Sequence, residues 1–197
     1  LGPARFHEPP LPLEAVGEVD AVVISHDHYD HLDMNSIRGL LQRRAHFFVP
    51  LGVGAHLQRW GVPTERISEH DWWEEARVGP LRLVATPAQH FSGRALLDRN
   101  HTLWCSWTLI GPQHRVFFSG DTGLMREFSD IGAKLGPFDI ALLEIGAYHP
   151  SWGDIHMGPH NALVAFERLG ARRLLQKARR THQRGAAPTP DPATHTR

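Results

Sequence analysis

The run Val22-Val23-Ile24-Ser25-His26-Asp27-His28-Tyr29-Asp30-His31 constrains this chain more than any other. Its β-branched apolar start reads as a short buried strand. The strand empties directly into His26, His28, Asp30 and His31. His26 and His28 are two apart, so on extended backbone they project to the same side. Asp30 and His31 follow where the chain must leave the strand for a helix. Asp27, between two of these groups, is expected to face the other way in a structural role. Imidazole and carboxylate are the donors that suit zinc, with iron and manganese also in range. Crowding four such groups at one strand end is costly unless a cation holds them. A metal site is therefore a stronger reading than a histidine-rich polar loop.

The same pattern, an apolar strand followed at once by a donor, recurs twice. Residues 81–86 read as a strand that stops at Pro87 and delivers His90. Residues 103–110 and 115–119 flank Gly111-Pro112-Gln113-His114, a hairpin signature, and the second arm opens into Gly120-Asp121-Thr122-Gly123. Loops at one end of a sheet are where a rigid scaffold brings side chains together from distant positions. Two cations about 3.5–4 Å apart would need some six protein ligands and a bridging group.

Between these points strands and helices alternate. A strand over 21–25 leads to a helix capped by Asp33 with Met34, Ile37, Leu40 and Leu41 on its apolar face. A strand over 46–50 and a helix over 54–60 follow, then strands between 67 and 84 with a turn at Gly79-Pro80. A helix over 125–135 ends at Gly136-Pro137, and 139–145 is another apolar strand. Pro159 opens a helix with Ala162, Leu163, Phe166 and Leu169 on one face, stopped by Gly170, and 172–175 begins a last strand. Such alternation indicates a layered α/β domain, here assigned to residues 1–175. Residues 176–197 carry no apolar period, three prolines and a basic excess, and are expected to form a disordered tail.

Length and composition support one soluble domain. The chain has 197 residues, 41% hydrophobic and 21% charged, with 21 basic and 21 acidic side chains. That balance calls for no nucleic-acid partner. No stretch approaches the roughly 20 apolar residues of a membrane span. The single cysteine, Cys105, rules out an internal disulfide framework and fits a reducing compartment, so a cytoplasmic location is expected, with peripheral membrane contact left open. Oligomeric state is not legible in the sequence.

Three segments together resemble the metallo-β-lactamase superfamily. They are His26-Asp27-His28-Tyr29-Asp30-His31, Thr86-Pro87-Ala88-Gln89-His90 and Gly120-Asp121-Thr122-Gly123. With Gly136-Pro137-Phe138-Asp139 and Ile145-Gly146-Ala147-Tyr148, they are most similar to the branch of N-acyl-phosphatidylethanolamine-hydrolysing phospholipase D. The resemblance spans about residues 6–175 and implies a four-layer αββα sandwich. Because the family begins with further strands than precede Leu1, the domain is expected to be incomplete at both ends. It implies one zinc held by His26, His28 and His90, a second held by Asp30 and His31, and Asp121 between them. It further implies a hydroxide shared by the two zincs as nucleophile, oriented by Asp30 as a catalytic group. His156, in Asp154-Ile155-His156-Met157-Gly158-Pro159, is expected beside the metal centre in a supporting or substrate-contacting catalytic role.

The family also implies a last histidine ligand a few residues beyond 172–175, within a segment like Pro-x-His-Trp-Gly. Here Leu175 is followed by Gln176-Lys177-Ala178-Arg179-Arg180, and the nearest histidine is His182. The tail thus reads as a frame disruption, a fragment end or substitute sequence that leaves the second metal short of a ligand. Trp72, Trp73, Trp104, Trp107 and Trp152 are candidates to edge a lipid groove, with core packing expected for at least half. The resemblance implies a zinc-dependent hydrolase of a phosphodiester, acting on a small-molecule or lipid substrate of the N-acylphosphatidylethanolamine type. The alternatives are hydrolysis of a lactone, thioester or other acyl ester, and a truncated relative that binds metal without turnover.

Overall fold

Side chains on adjacent strand positions point to opposite faces, and this chain exploits both. In the computed structural model, which describes residues 11–145 and 154–177, strand β1 (Ala21–Val23) pairs in parallel with β2 (His46–Pro50), and β2 with β3 (Ile67–His70). Phe47 and Val49 of β2 pack with Ile24, Leu32, Ile37 and Leu57 against helices α1 (Met34–Gly39) and α2 (Gly54–Arg59). Phe48, between them, faces the opposite way into a cluster with Leu83, Ala85, Cys105 and Trp107.

That second cluster is the seam between two sheets. The larger sheet has six strands in sequence order: β4 (Glu75–Val78), β5 (Leu81–Thr86), β6 (Ser106–Ile110), β7 (Arg115–Phe118), β8 (Ile140–Glu144) and β9 (Leu174–Lys177). Its other face presents Val84, Phe117, Ala141 and Leu143 to Phe128, Ile131, Leu135, Ala165 and Leu169. Those partners lie on helices α3 (Glu127–Leu135) and α4 (Pro159–Leu169). Three apolar seams therefore separate four layers, helix–sheet–sheet–helix, as the resemblance implies.

Local signals act where expected. Asp33 caps α1 by accepting from the Ser36 N–H at 2.7 Å. Pro159 opens α4, and Gly170 closes it with φ +63° in the left-handed region. The helix α1 is shorter than its apolar period suggests, because the chain turns at Leu40, with Arg43 held by backbone carbonyls of Leu13, Val16 and Gly17. Strand β9 continues through Gln176 and Lys177, two residues into what composition marks as tail. It does so because β8 offers it a parallel ladder that ends on the pair Glu144 and Lys177. Among the described residues no helix is long and apolar enough to cross a membrane. His182 with the rest of the tail from 178 on, and Trp152, lie outside the described residues.

Strand direction fixes where chemistry gathers. Strands β5 and β7 are both antiparallel to β6, hence parallel to each other, while β8 and β9 run parallel to β7. All four therefore finish at the same edge of the sheet. Their C-terminal ends lead to His90, Asp121, Glu144 and Lys177 respectively.

Candidate metal centre

The first loop is built by a hydrogen-bonded hand-over between sheets. Ile24 N–H still donates to Phe48 of β2 at 3.1 Å, while Ser25 carbonyl already accepts from Cys105 N–H, beside β6, at 2.8 Å. The Trp107 indole N–H also donates to the Ile24 carbonyl at 2.9 Å. The chain then turns on His28, whose carbonyl accepts from His31 N–H at 3.0 Å and Leu32 N–H at 2.8 Å. That turn folds His31 back beside His26, with ring centroids 4.3 Å apart. Asp27 faces away: its Oδ1 accepts from Gly93 N–H at 2.8 Å and its Oδ2 is 3.5 Å from His56 Nε2.

Gly120 lets the Asp121 loop approach. Its φ is +59°, and a Cβ there would lie 2.5 Å from Ser25 Cβ, directly before His26. The His90 loop is tied to the same place. Gln89 N–H donates to Thr122 Oγ1 at 2.9 Å, and Gly123 N–H donates to the Gln89 carbonyl at 2.8 Å.

Three imidazoles converge. His28 Nδ1 lies 3.0 Å from His26 Nε2 and 3.3 Å from His90 Nε2. Neighbouring ligands of a tetrahedral zinc with Zn–N near 2.0–2.1 Å sit roughly 3.3–3.4 Å apart, so the spacing suits a shared ion. The outward nitrogens of His90 and His26 are also engaged. His90 Nδ1–H donates to the Ile155 carbonyl at 3.0 Å, which leaves Nε2 as a lone pair directed at the cluster. His26 Nδ1 is 3.0 Å from Ser25 Oγ.

Burial keeps these rings neutral. It is the main cause that holds His26 well below its ordinary pKa, lowers His28, and pushes His90 down to about 3. Neutral imidazoles are the form a metal requires.

A second group of donors adjoins the first. His31 Nε2 is 3.1 Å from Asp121 Oδ2, and these two form a cluster with His26 whose donor atoms lie within 4.8 Å of one another. A third cluster joins His90, Asp121 and His156. Asp121 thus belongs to two clusters. Asp30 is carried beside them, its carboxylate 4.0 Å from His31 Nε2, but falls outside the three clusters formed by the described residues. Burial opposes ionisation of Asp121, yet the Lys177 ammonium, and then His31, hold its carboxyl well below the usual range.

Two groups here carry no sequence prediction. Glu144 Oε1 lies 2.5 Å from His156 Nδ1, and its Oε2 accepts from Thr122 N–H at 3.2 Å. Burial raises the pKa of Glu144 against the pull of its bond with His156. Lys177 Nζ is 2.9 Å from Asp121 Oδ1. The signal for both was available: each is a charged residue at the end of a sheet strand, the position that singles out His90 and Asp121. Glu144 closes an apolar run without a turn residue after it, and Lys177 merges into a basic segment.

Comparison with known proteins gives the chain a family. A β-lactamase superfamily domain matches residues 1–176. An uncharacterized protein of Mycobacterium tuberculosis is 57% identical over 166 residues, covering 84% of this chain and 44% of its own length. The N-acyl-phosphatidylethanolamine-hydrolyzing phospholipase D 1 of Caenorhabditis elegans is 38% identical over 183 residues, covering 87% of this chain and 51% of its own. The chain thus spans about half the length of these relatives. Among solved structures, a metallo hydrolase of the archaeon Ignicoccus hospitalis superposes with a TM-score of 0.66 at 25% identity, over 81% of this chain and 63% of that one. The chain belongs to the metallo-β-lactamase superfamily, near the branch of N-acyl-phosphatidylethanolamine-hydrolysing phospholipases D.

Proposed function

We propose that this protein is a metal-dependent hydrolase of phosphodiesters, with His26, His28 and His90 holding one divalent cation and His31, Asp121 and Asp30 providing for a second. The observation that carries this reading is the convergence of three neutral imidazole nitrogens, 3.0 and 3.3 Å apart, with the His90 and His26 rings held from behind by the Ile155 carbonyl and Ser25. Zinc is the ion we assign, since the first position offers nitrogen donors alone. Bound there, such cations make water acidic enough to react near neutral pH and offset charge growing on a phosphoryl oxygen.

The chain's own groups do the rest. Asp30 accepts the proton of the attacking water and aims it. Water adds to phosphorus, the P–O bond to the alcohol breaks, and the alcohol oxygen leaves with a proton. His156, its Nδ1 held by Glu144, supplies that proton, and the one taken up by Asp30 returns to solvent as the products leave. Neither role needs residues outside the layer edge where the strands end.

A lipid phosphodiester of the N-acylphosphatidylethanolamine type is the substrate we favour. The nematode relative's name supports it, and so does one surface feature. Leu96 and Leu97 are 99% and 89% exposed on the loop that follows His90. Gly93 of that loop is bonded to Asp27, and Arg94 stacks 4.0 Å over the Tyr29 ring. Two adjacent bare leucines beside the site suit peripheral contact with a lipid surface.

Vesicles containing N-acylphosphatidylethanolamine, assayed beside a simple acyl ester on zinc-loaded protein, test the reading. Release of N-acylethanolamine and phosphatidate is the expected result. Turnover of the ester alone overturns the phosphodiester assignment, and turnover of neither favours a metal-binding relative without catalysis.

A further inference from the structure

Strand β9 ends by delivering a cation into the acidic side of the site. Lys177 stands opposite Glu144 in the β8–β9 ladder, and its side chain is 15% exposed. Its Nζ is 2.9 Å from Asp121 Oδ1 and 5.5 Å from the centroid of the Phe118 ring. A carboxylate and an aromatic face thus fix the ammonium from two sides. Asp121 divides its oxygens, with Oδ2 toward His31 at 3.1 Å and Oδ1 toward Lys177.

We propose that Lys177 is a resident cation at the second metal position, so that the three-histidine position takes a metal ion tightly while the Asp121–His31 position takes one only as the ammonium gives way. This rests on the metal reading above. An ammonium and a dication cannot share one buried carboxylate without strong repulsion, because Asp121 lies where solvent and salt screen poorly. Among the described residues no ammonium or guanidinium competes for the ligands of the three-histidine position, since Lys177 makes its ion pair with Asp121. The two positions are therefore unequal, and beyond their different donors one side chain, Lys177, weakens the second.

Metal-stripped full chain titrated with Zn2+ by calorimetry, against a competing chelator, tests this without any assay of turnover. The wild-type chain is expected to bind one equivalent tightly and a second at least tenfold more weakly. Lys177→Met should tighten the second equivalent by at least tenfold and leave the first unchanged, while Lys177→Arg should behave as wild type. Wild-type binding of two equivalents within tenfold of each other overturns the proposal, and that result needs no variant to fold. So does a second equivalent that Lys177→Met fails to tighten tenfold, or that Lys177→Arg tightens as much as Lys177→Met. Binding of no zinc at all would defeat the metal reading itself, a different outcome from two equal sites.

Discussion

Glu144 is 1% exposed and its two oxygens serve His156 and the Thr122 N–H, so it braces a ring that faces His90 at 5.0 Å. Groups that hold a metal-site histidine from behind are typically worth about 10–100-fold in activity or metal affinity. Glu144→Gln keeps the shape and removes the charge, and kcat/KM is expected to fall by about that factor with zinc content unchanged. Equal kcat/KM in the two proteins would contradict the bracing role. The buried histidines make a second prediction. His26, His28 and His90 have folded pKa values below the unfolded value of about 6.5. The unfolded chain therefore binds more protons as pH falls below that value, and the folded state loses stability. The loss continues down toward about 3, where His90 takes its proton in the fold. Urea midpoints of metal-free protein should decrease steadily from pH 7.5 to 5, with His46 and His70 adding to the same trend. A midpoint constant across that interval would contradict the assignment. Zinc-loaded protein should hold its midpoint further into acid.

Elements were legible where pattern and punctuation agree. The β-branched run before His26, the Gly111–His114 turn, the Asp33 cap and the Pro159–Gly170 helix all follow from local chemistry. Strand β9 was legible only to Leu175, because Gln176 and Lys177 owe their strand geometry to pairing with Leu143 and Glu144 rather than to their own side chains. Nonlocal ladders of that kind leave no trace in composition. Gly120 shows how tightly two such elements meet. Gly120→Ala places a Cβ against Ser25 and forces an L-residue into the left-handed region. The backbone alone costs about 1–2 kcal/mol, and the clash adds to it. A lowered urea midpoint together with weakened zinc binding is expected; an unchanged midpoint would show that the two loops can part.

Across the molecule the four layers act as a frame whose one edge carries the chemistry. The sequence marks His26, His28, His31, His90 and Asp121, which the fold gathers after apolar strands, whereas Asp30 falls outside their clusters. It does not show that His156 is backed by Glu144 or that Asp121 is paired with Lys177. Those contacts join positions 12 and 56 residues apart along the chain. The exposed Leu96 and Leu97 belong to this scale, because on the proposed reading they meet a lipid surface. Leu96→Asp with Leu97→Asp should reduce sedimentation with lipid vesicles by tenfold or more, while hydrolysis of a water-soluble phosphodiester stays within twofold. Undiminished sedimentation would remove the lipid-facing assignment.

X-ray absorption at the zinc edge, on protein carrying one equivalent of the metal, reaches the central claim most directly. Three imidazole nitrogens at about 2.0–2.1 Å, with the outer-shell scattering of their rings, are the predicted spectrum. That ring signal should diminish in His28→Ala. A first shell of oxygen donors without ring scattering would contradict a centre built from His26, His28 and His90.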